Sequence, residues 1–188
     1  MAVGRNLSHV QAAAVEETPT WLDIPGVITW DPSITTDTEP VQADGTTYYT
    51  AYSAPAGEGD LTFIDFDENV VALINGGTVS SSGTTPNVID RYEQPGDYTA
   101  PAFSLCDWVP NVDQFHDDRA GMRTTAPNCT ATPVSRSSGQ DTTFEWTATT
   151  SFAADANGVL LIYELLETAP TFSGGIMSPA PNLETPAE

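Results

Sequence analysis

Residues 142–152 alternate without a break. Phe144, Trp146, Ala148, Thr150 and Phe152 fall on one side, and Thr143, Glu145, Thr147, Thr149 and Ser151 fall on the other. A period of two places successive side chains on opposite faces of a pleated strand, so this stretch predicts a half-buried antiparallel strand with one mainly apolar face. Slipping it by one residue would move two Phe and a Trp into water, at about 1.5 to 3 kcal/mol or more for each, so its register is firmly set. The Thr and Glu side then faces water or a lumen. Asn157-Gly158 supplies a turn into residues 159–167, where Leu160, Ile162 and Leu166 oppose Val159, Leu161, Tyr163 and Leu165. Apolar side chains on both faces predict a strand sandwiched between neighbours.

The stretch 21–77 adds an ordered β-β-β-helix pattern. Residues 21–30 (WLDIPGVITW) read as a strand punctuated by Pro25-Gly26. An acidic, threonine-rich loop containing Asp31, Asp37, Glu39 and Asp44 follows, before strands at 46–53 (TTYYTAYS) and 61–66. Asp67 is placed to cap a short helix, with Glu68 in its first turn, Val70, Val71, Leu73 and Ile74 inward, and Gly76-Gly77 ending it. Beyond it, 78–87 (TVSSSGTTPN) reads as a polar loop, 88–93 and 100–108 as strands, and 107–128 as an irregular surface excursion. Residues 1–20 read as an N-terminal arm and 21–167 as one β domain. The Pro-, Gly- and Ser-rich residues 168–188 form a C-terminal extension, expected to order only against a partner. The expected architecture is mainly β: an antiparallel sandwich or barrel of about seven to nine strands with one short flanking α-helix.

A chain of 188 residues with 39% hydrophobic content supports one core rather than two. Its charge is lopsided, with 26 Asp and Glu against five arginines and no lysine, for a formal net charge of -21. Five scattered arginines (Arg5, Arg91, Arg119, Arg123, Arg136) make no basic stripe, which excludes tight phosphate binding and attraction to anionic membranes. Copies of such a chain repel one another, so self-assembly is expected to weaken at low salt. Neither a secretory h-region nor an apolar window of roughly 20 residues is present, so the chain is expected to be made in the cytoplasm and to be soluble before assembly. Two cysteines, Cys106 and Cys129, are expected to be buried or inert thiols.

Catalytic signals are weak. Asp113, His116, Asp117, Asp118 and Arg119 cluster in sequence, but their spacing fits neither a calcium loop nor a zinc pattern, so they read as a solvated loop face. His9 is expected to have no chemical role. The Ser and Thr residues lack a nucleophile elbow, and Gly76-Gly77 and Gly174-Gly175 lack the spacing of a phosphate-cradling loop. Trp21, Trp30, Trp108 and Trp146 are dispersed, as expected for core or interface residues rather than a sugar platform. The chain is therefore expected to have no enzymatic activity, no cofactor and no metal.

The segment order "IPGVITWDPSITTDTEP", "DGTTYYTAYS", "GDLTFIDFDENVVALINGGTVSSSGTTPN" resembles the major tail protein, or tail tube protein, of long-tailed bacteriophages. The resemblance spans residues 21–105, with a weaker match in 142–152 and 159–167. It implies a structural virion protein whose copies form six-membered rings, with sheets joined edge to edge into a continuous β-barrel and rings stacked into a tube for genome delivery. Implied partners are further copies of the chain, a tape measure protein, a tail terminator and tail-tip or baseplate proteins, with DNA passing through unbound. It also implies that the acidic loop makes the ring-to-ring contact, with Thr35, Asp37, Glu39 and Asp44 as stacking candidates. The tube subunit of a contractile injection or secretion system shares this logic, and a carbohydrate-binding β-sandwich is the alternative from another class.

Overall fold

The computed structural model describes residues 9–16, 19–36, 38–43, 46–111, 118–137, 144–181 and 183. The strands in its first half are β1 (His9–Ala14), β2 (Trp21–Asp23), β3 (Val27–Trp30), β4 (Ser33–Thr35), β5 (Thr38–Ala43), β6 (Thr46–Tyr52) and β7 (Ala56–Phe63). Helix α1 (Glu68–Asn75) separates these from β8 (Thr78–Ser82), β9 (Ile89–Glu93), β10 (Phe103–Pro110), β11 (Gly121–Ala131), β12 (Ser135–Ser137), β13 (Glu145–Phe152), β14 (Ile162–Leu166), β15 (Thr171–Ser173) and β16 (Ile176–Ser178). Ten strands form one sheet along the path β2-β1-β10-β11-β13-β7-β3, with β12 on β13, β14 on β11 and β4 on β7. Three two-stranded hairpins, β5–β6, β8–β9 and β15–β16, stand outside it. All pairings are antiparallel. The expected class, mainly β with one short helix, is the observed one, although the sheet does not close into a barrel and holds more strands than the sequence suggests.

The sheet curls around a core built from alternate residues. Leu61 and Phe63 of β7, Ala148 and Phe152 of β13, Phe103 and Leu105 of β10, and Val10 and Ala12 of β1 meet Val70, Val71 and Ile74 of the helix. The helix starts as its sequence implies: the Asp67 carboxylate accepts from the backbone N–H groups of Asn69 at 2.8 Å and Val70 at 3.3 Å, satisfying donors that have no partner within the helix. At Gly57 the chain admits no side chain, because the Phe152 ring covers it: a Cβ there would lie 1.7 Å from Phe152 Cε2. Gly57 pairs directly with Phe152, so the glycine gives the last aromatic of the alternating strand its place.

The far side of β10 is also covered. Ala13, Trp21, Cys106, Trp108 and Met177 form a second, smaller cluster beneath the β15–β16 hairpin. The hairpin is tied down by Met177 N–H donating to Gln11 Oε1 at 2.9 Å and by the Arg123 guanidinium donating to Pro179 O at 2.8 Å. Phe172 packs on the His9 ring at 4.2 Å, and His9 Nε2 lies 3.2 Å from Asp23 Oδ1. Burial pushes the Asp23 carboxyl above its ordinary range, an effect that His9 opposes and Asp67 reinforces.

Several expectations are corrected. Residues 9–14 are not part of an arm: β1 lies between β10 and β2, where small Ala side chains fit a crowded layer whatever their modest strand preference. Residues 171–181 pack against their own chain, where Met177 joins the apolar cluster on the second face of β10. The excursion at 107–128 is largely sheet, since β10 runs to Pro110 and β11 starts at Gly121. Residues 78–82 are a strand rather than a loop. The acidic stretch 31–45 contributes β4 to the main sheet and β5 to a hairpin. Strand β14 is not sandwiched: it pairs β11 alone, and Tyr163 and Leu165 are exposed.

Two substitutions test this packing by urea unfolding. Gly57→Ala drives a Cβ into the Phe152 ring and is expected to lower stability by about 1 to 3 kcal/mol. Met177→Ala empties the centre of the second cluster and is expected to cost about 2 to 5 kcal/mol. An unchanged midpoint for Met177→Ala would mean that the hairpin contributes nothing to the fold.

Candidate functional site

The register of β7 against β13 sets two chemically opposite faces. Facing pairs are Thr147 with Thr62, Thr149 with Asp60, and Ser151 with Glu58, while Ala148 with Leu61 and Phe152 with Gly57 point into the core. The flanking strands continue the polar side. Thr29 pairs Thr62 and Ser33 pairs Glu58 on one flank, and Ser135 pairs Thr147, Ser137 pairs Glu145 and Thr130 pairs Ser151 on the other. With side chains alternating along each strand, one face running from β3 and β4 through β7 and β13 to β12 carries hydroxyls and carboxylates. Most of these positions are exposed.

Cross-strand hydrogen bonds order that surface. Thr149 Oγ1 donates to Asp60 Oδ1 at 3.0 Å, Ser135 and Thr147 hydroxyls lie 3.1 Å apart, and the backbone N–H of Thr149 donates to Thr132 Oγ1 at 2.9 Å. Ser33 Oγ donates to the Glu58 carbonyl at 3.2 Å. Such pairs hold short side chains flat along the sheet and leave carboxylate charge facing outward. Among the described residues, the arginine side chains lie elsewhere. Arg91 sits on the β8–β9 hairpin beside Glu93 at 2.8 Å, and Arg119 meets Glu167 at 2.7 Å. Arg123 is buried against Glu164 at 2.7 Å, and Arg136 projects from the other side of β12, opposite Trp146. The face therefore offers phosphate groups repulsion and no charge neutralisation.

Of the predicted stacking residues, the two described ones, Thr35 and Glu39, lie on different elements. Thr35 is exposed on β4, with its hydroxyl 3.5 Å from the Ala56 carbonyl, while Glu39 lies in β5 opposite Ala51 on a separate hairpin. Asp37 and Asp44 fall outside the described residues, as do Asp113, His116 and Asp117. Asp118 lies 3.7 Å from Arg119, and among the described residues no group of three His, Cys, Asp or Glu is placed to hold a metal ion. Sequence reasoning missed Glu58 and Asp60. The run Gly57-Glu58-Gly59-Asp60 keeps the period of two, but its inward positions are glycines, which carry no hydrophobic signal.

Cys106 and Cys129 are free and buried on opposite faces of the sheet, Cys129 in the main core and Cys106 in the second cluster. Burial pushes both thiols from 9.0 up to about 12; the Thr125 hydroxyl partly offsets this for Cys106 and a backbone hydrogen bond for Cys129.

A cleft of about 520 Å³ separates the free edges of β3 and β14, lined by Ile28, Trp30, Asp107, Val109, Met122 and Tyr163. Its one strongly buried acid, Asp107, is engaged by the backbone N–H of Thr124 at 2.9 Å.

Among solved structures, the chain is similar to one described as the tail of an empty GTA particle, computed with helical refinement and C6 symmetry. Identity is 10%, the match covers 86% of this chain and 97% of that one, and the TM-score is 0.47. No family model matches the sequence. No curated protein matches it either.

The thiols give a prediction with a defined sign. A folded-state value raised above the unfolded one contributes stability that is full below pH 9.0 and is lost as pH rises toward about 12. Thiol-reagent labelling at pH 8 is accordingly expected to be negligible in the native protein and to reach both cysteines in denaturant. Rapid native labelling would contradict the burial of both groups.

Proposed function

We propose that this chain is the repeating subunit of a phage-type tail tube, polymerising as stacked six-membered rings whose channel is lined by the hydroxyl and carboxylate face of β3, β4, β7, β13 and β12. The carrying observation is that face itself: an ordered, exposed sheet surface from which all four described arginines are excluded. B-form DNA bears one negative charge per roughly 1.7 Å, so a wall of fixed carboxylates repels the duplex evenly and gives it nowhere to stick. Hydroxyls hydrate the wall without adding charge.

The edges support the same reading. Among the described residues, the outer sides of β3 and β4 at one flank, and of β12 at the other, have no sheet partner. Unpaired edges at both flanks are the condition for edge-to-edge joining of copies, and ring closure removes the exposed edges. Ring-to-ring contact is assigned to the stretch carrying Thr35, Asp37, Glu39 and Asp44, of which Thr35 lies on β4 of the main sheet and Glu39 on the separate β5–β6 hairpin. The resemblance noted in the sequence adds a tape measure protein, a terminator and tail-tip proteins as partners, and the virion tail as the location.

Negative-stain microscopy of the purified protein at moderate salt is expected to reveal rings and tubes, shortening as salt is lowered because like charges are less screened. A protein that stays monomeric at high concentration overturns the proposal. Deleting residues 38–52 while keeping β4 is expected to give a folded subunit that fails to stack; normal tubes from that deletion would remove the stacking assignment. Asp60→Arg combined with Thr149→Arg is expected to leave tubes intact while making them bind duplex DNA in a filter assay. Tubes carrying both changes that remain inert to DNA would place this face elsewhere.

A further inference from the structure

At the β12 end of the sheet the core runs past its cover. The side of β13 that buries Ala148, Thr150 and Phe152 continues to Trp146 and then Phe144, which is 55% exposed. Phe66, 44% exposed, packs on Trp146 with ring centroids 4.7 Å apart, and the Arg136 guanidinium sits 5.2 Å from the centre of the Phe144 ring. Arg136 pairs directly with Trp146, so the four side chains form one continuous strip beside the free main-chain edge of β12.

Arg136 is unlike the other arginines. Arg91, Arg119 and Arg123 each meet a carboxylate within 2.8 Å, whereas among the described residues Arg136 meets an aromatic ring instead. In a chain with 26 acidic side chains, an exposed arginine that forms no ion pair among the described residues is unusual. Exposed aromatics around an arginine match the composition of the desolvated centre of a protein interface, where aromatic and Arg side chains carry most of the binding energy. A cation held over a ring is also oriented before its partner arrives.

We propose that the strip formed by Phe66, Trp146, Arg136 and Phe144 receives a carboxylate-bearing segment of a second copy of this chain, laid along the free edge of β12. The occupant follows from local charge: Arg136 offers a cation, and a second copy of a chain with 26 acidic side chains brings carboxylates to meet it. This inference rests on the tube-subunit reading and adds the receiving surface, a cationic and aromatic anchor that offsets general repulsion between subunits at one point.

The test uses the full chain in its assembled and unassembled forms. Trp21, Trp30 and Trp108 are at most 5% exposed, so Trp146 dominates quenching of native fluorescence by acrylamide. Quenching of the wild type is expected to fall on assembly, with Trp146→Phe as the control that lacks this component. Arg136→Glu is expected to raise the concentration needed for assembly by about tenfold or more. Phe144→Ser is expected to act in the same direction, with both variants keeping the thermal midpoint of the unassembled wild type. Assembly by both variants at the wild-type concentration, or Trp146 remaining fully quenchable in assembled wild type, overturns the inference and leaves the tube reading standing. A wild type that never assembles overturns both. Glycan binding lost in Trp146→Phe, without any change in assembly, would assign the strip to a sugar instead.

Discussion

The pairing of β7 with β13 is the constraint on which the rest of the molecule depends. Its register puts Leu61, Phe63, Ala148 and Phe152 on one side and Glu58, Asp60, Thr147 and Thr149 on the other. Each large apolar side chain buried there contributes roughly 1.5 to 3 kcal/mol, so the pair is locked against a slip that would invert both faces together. The same hydrogen-bonded ladder thus fixes the core and the polar surface. Gly57 completes the arrangement by making room for Phe152 at the end of the ladder.

A second consequence is asymmetry between the two layers. Strand β10 is buried on both faces because the sheet curls over one side and the β15–β16 hairpin covers the other. Several polar groups in this second layer are matched: Gln11 Oε1 accepts from Met177, Asp107 accepts from Thr124, and Arg123 binds both Glu164 and Pro179, while Gln11 Nε2 is buried without a partner among the described residues. A buried arginine without those acceptors would be strongly destabilising, which makes the hairpin part of the fold rather than an appendage. With that face closed, the edges of β3, β4 and β12 that lack a sheet partner among the described residues and the aromatic strip around Arg136 are the surfaces that the proposed assembly would use.

The polar face and its aromatic neighbour have complementary physical roles. The face carries Glu58, Asp60 and Glu145 among hydroxyls and gives polyanions no counter-charge, and under the proposed tube reading repulsion between copies would be offset by local contacts with high energy density. Concentrating cation and rings at the edge of the sheet, and carboxylates and hydroxyls on its broad face, separates the two tasks by position. The strand period makes this separation possible, because Ser135 and Arg136 are sequence neighbours on opposite sides of β12.

The alternation of 144–152, the capped helix at 68–75 and the acid excess are local properties, and they determined the mainly β class, the polar side of β13 and the strongly negative net charge without reference to any contact. Glu58 and Asp60 escaped because glycines at Gly57 and Gly59 erase the hydrophobic half of the pattern, although the pairing with β13 restores it. The tertiary structure alone decided that the alanine-rich residues 9–14 are an interior strand and that Met177 folds back onto the sheet. Both depend on shape matched between segments distant in sequence, and local propensity carries no information about that match. The open edges of β3, β4 and β12 were likewise fixed only by the chain's path, since whether a strand is central or peripheral is set by its neighbours and not by its own residues.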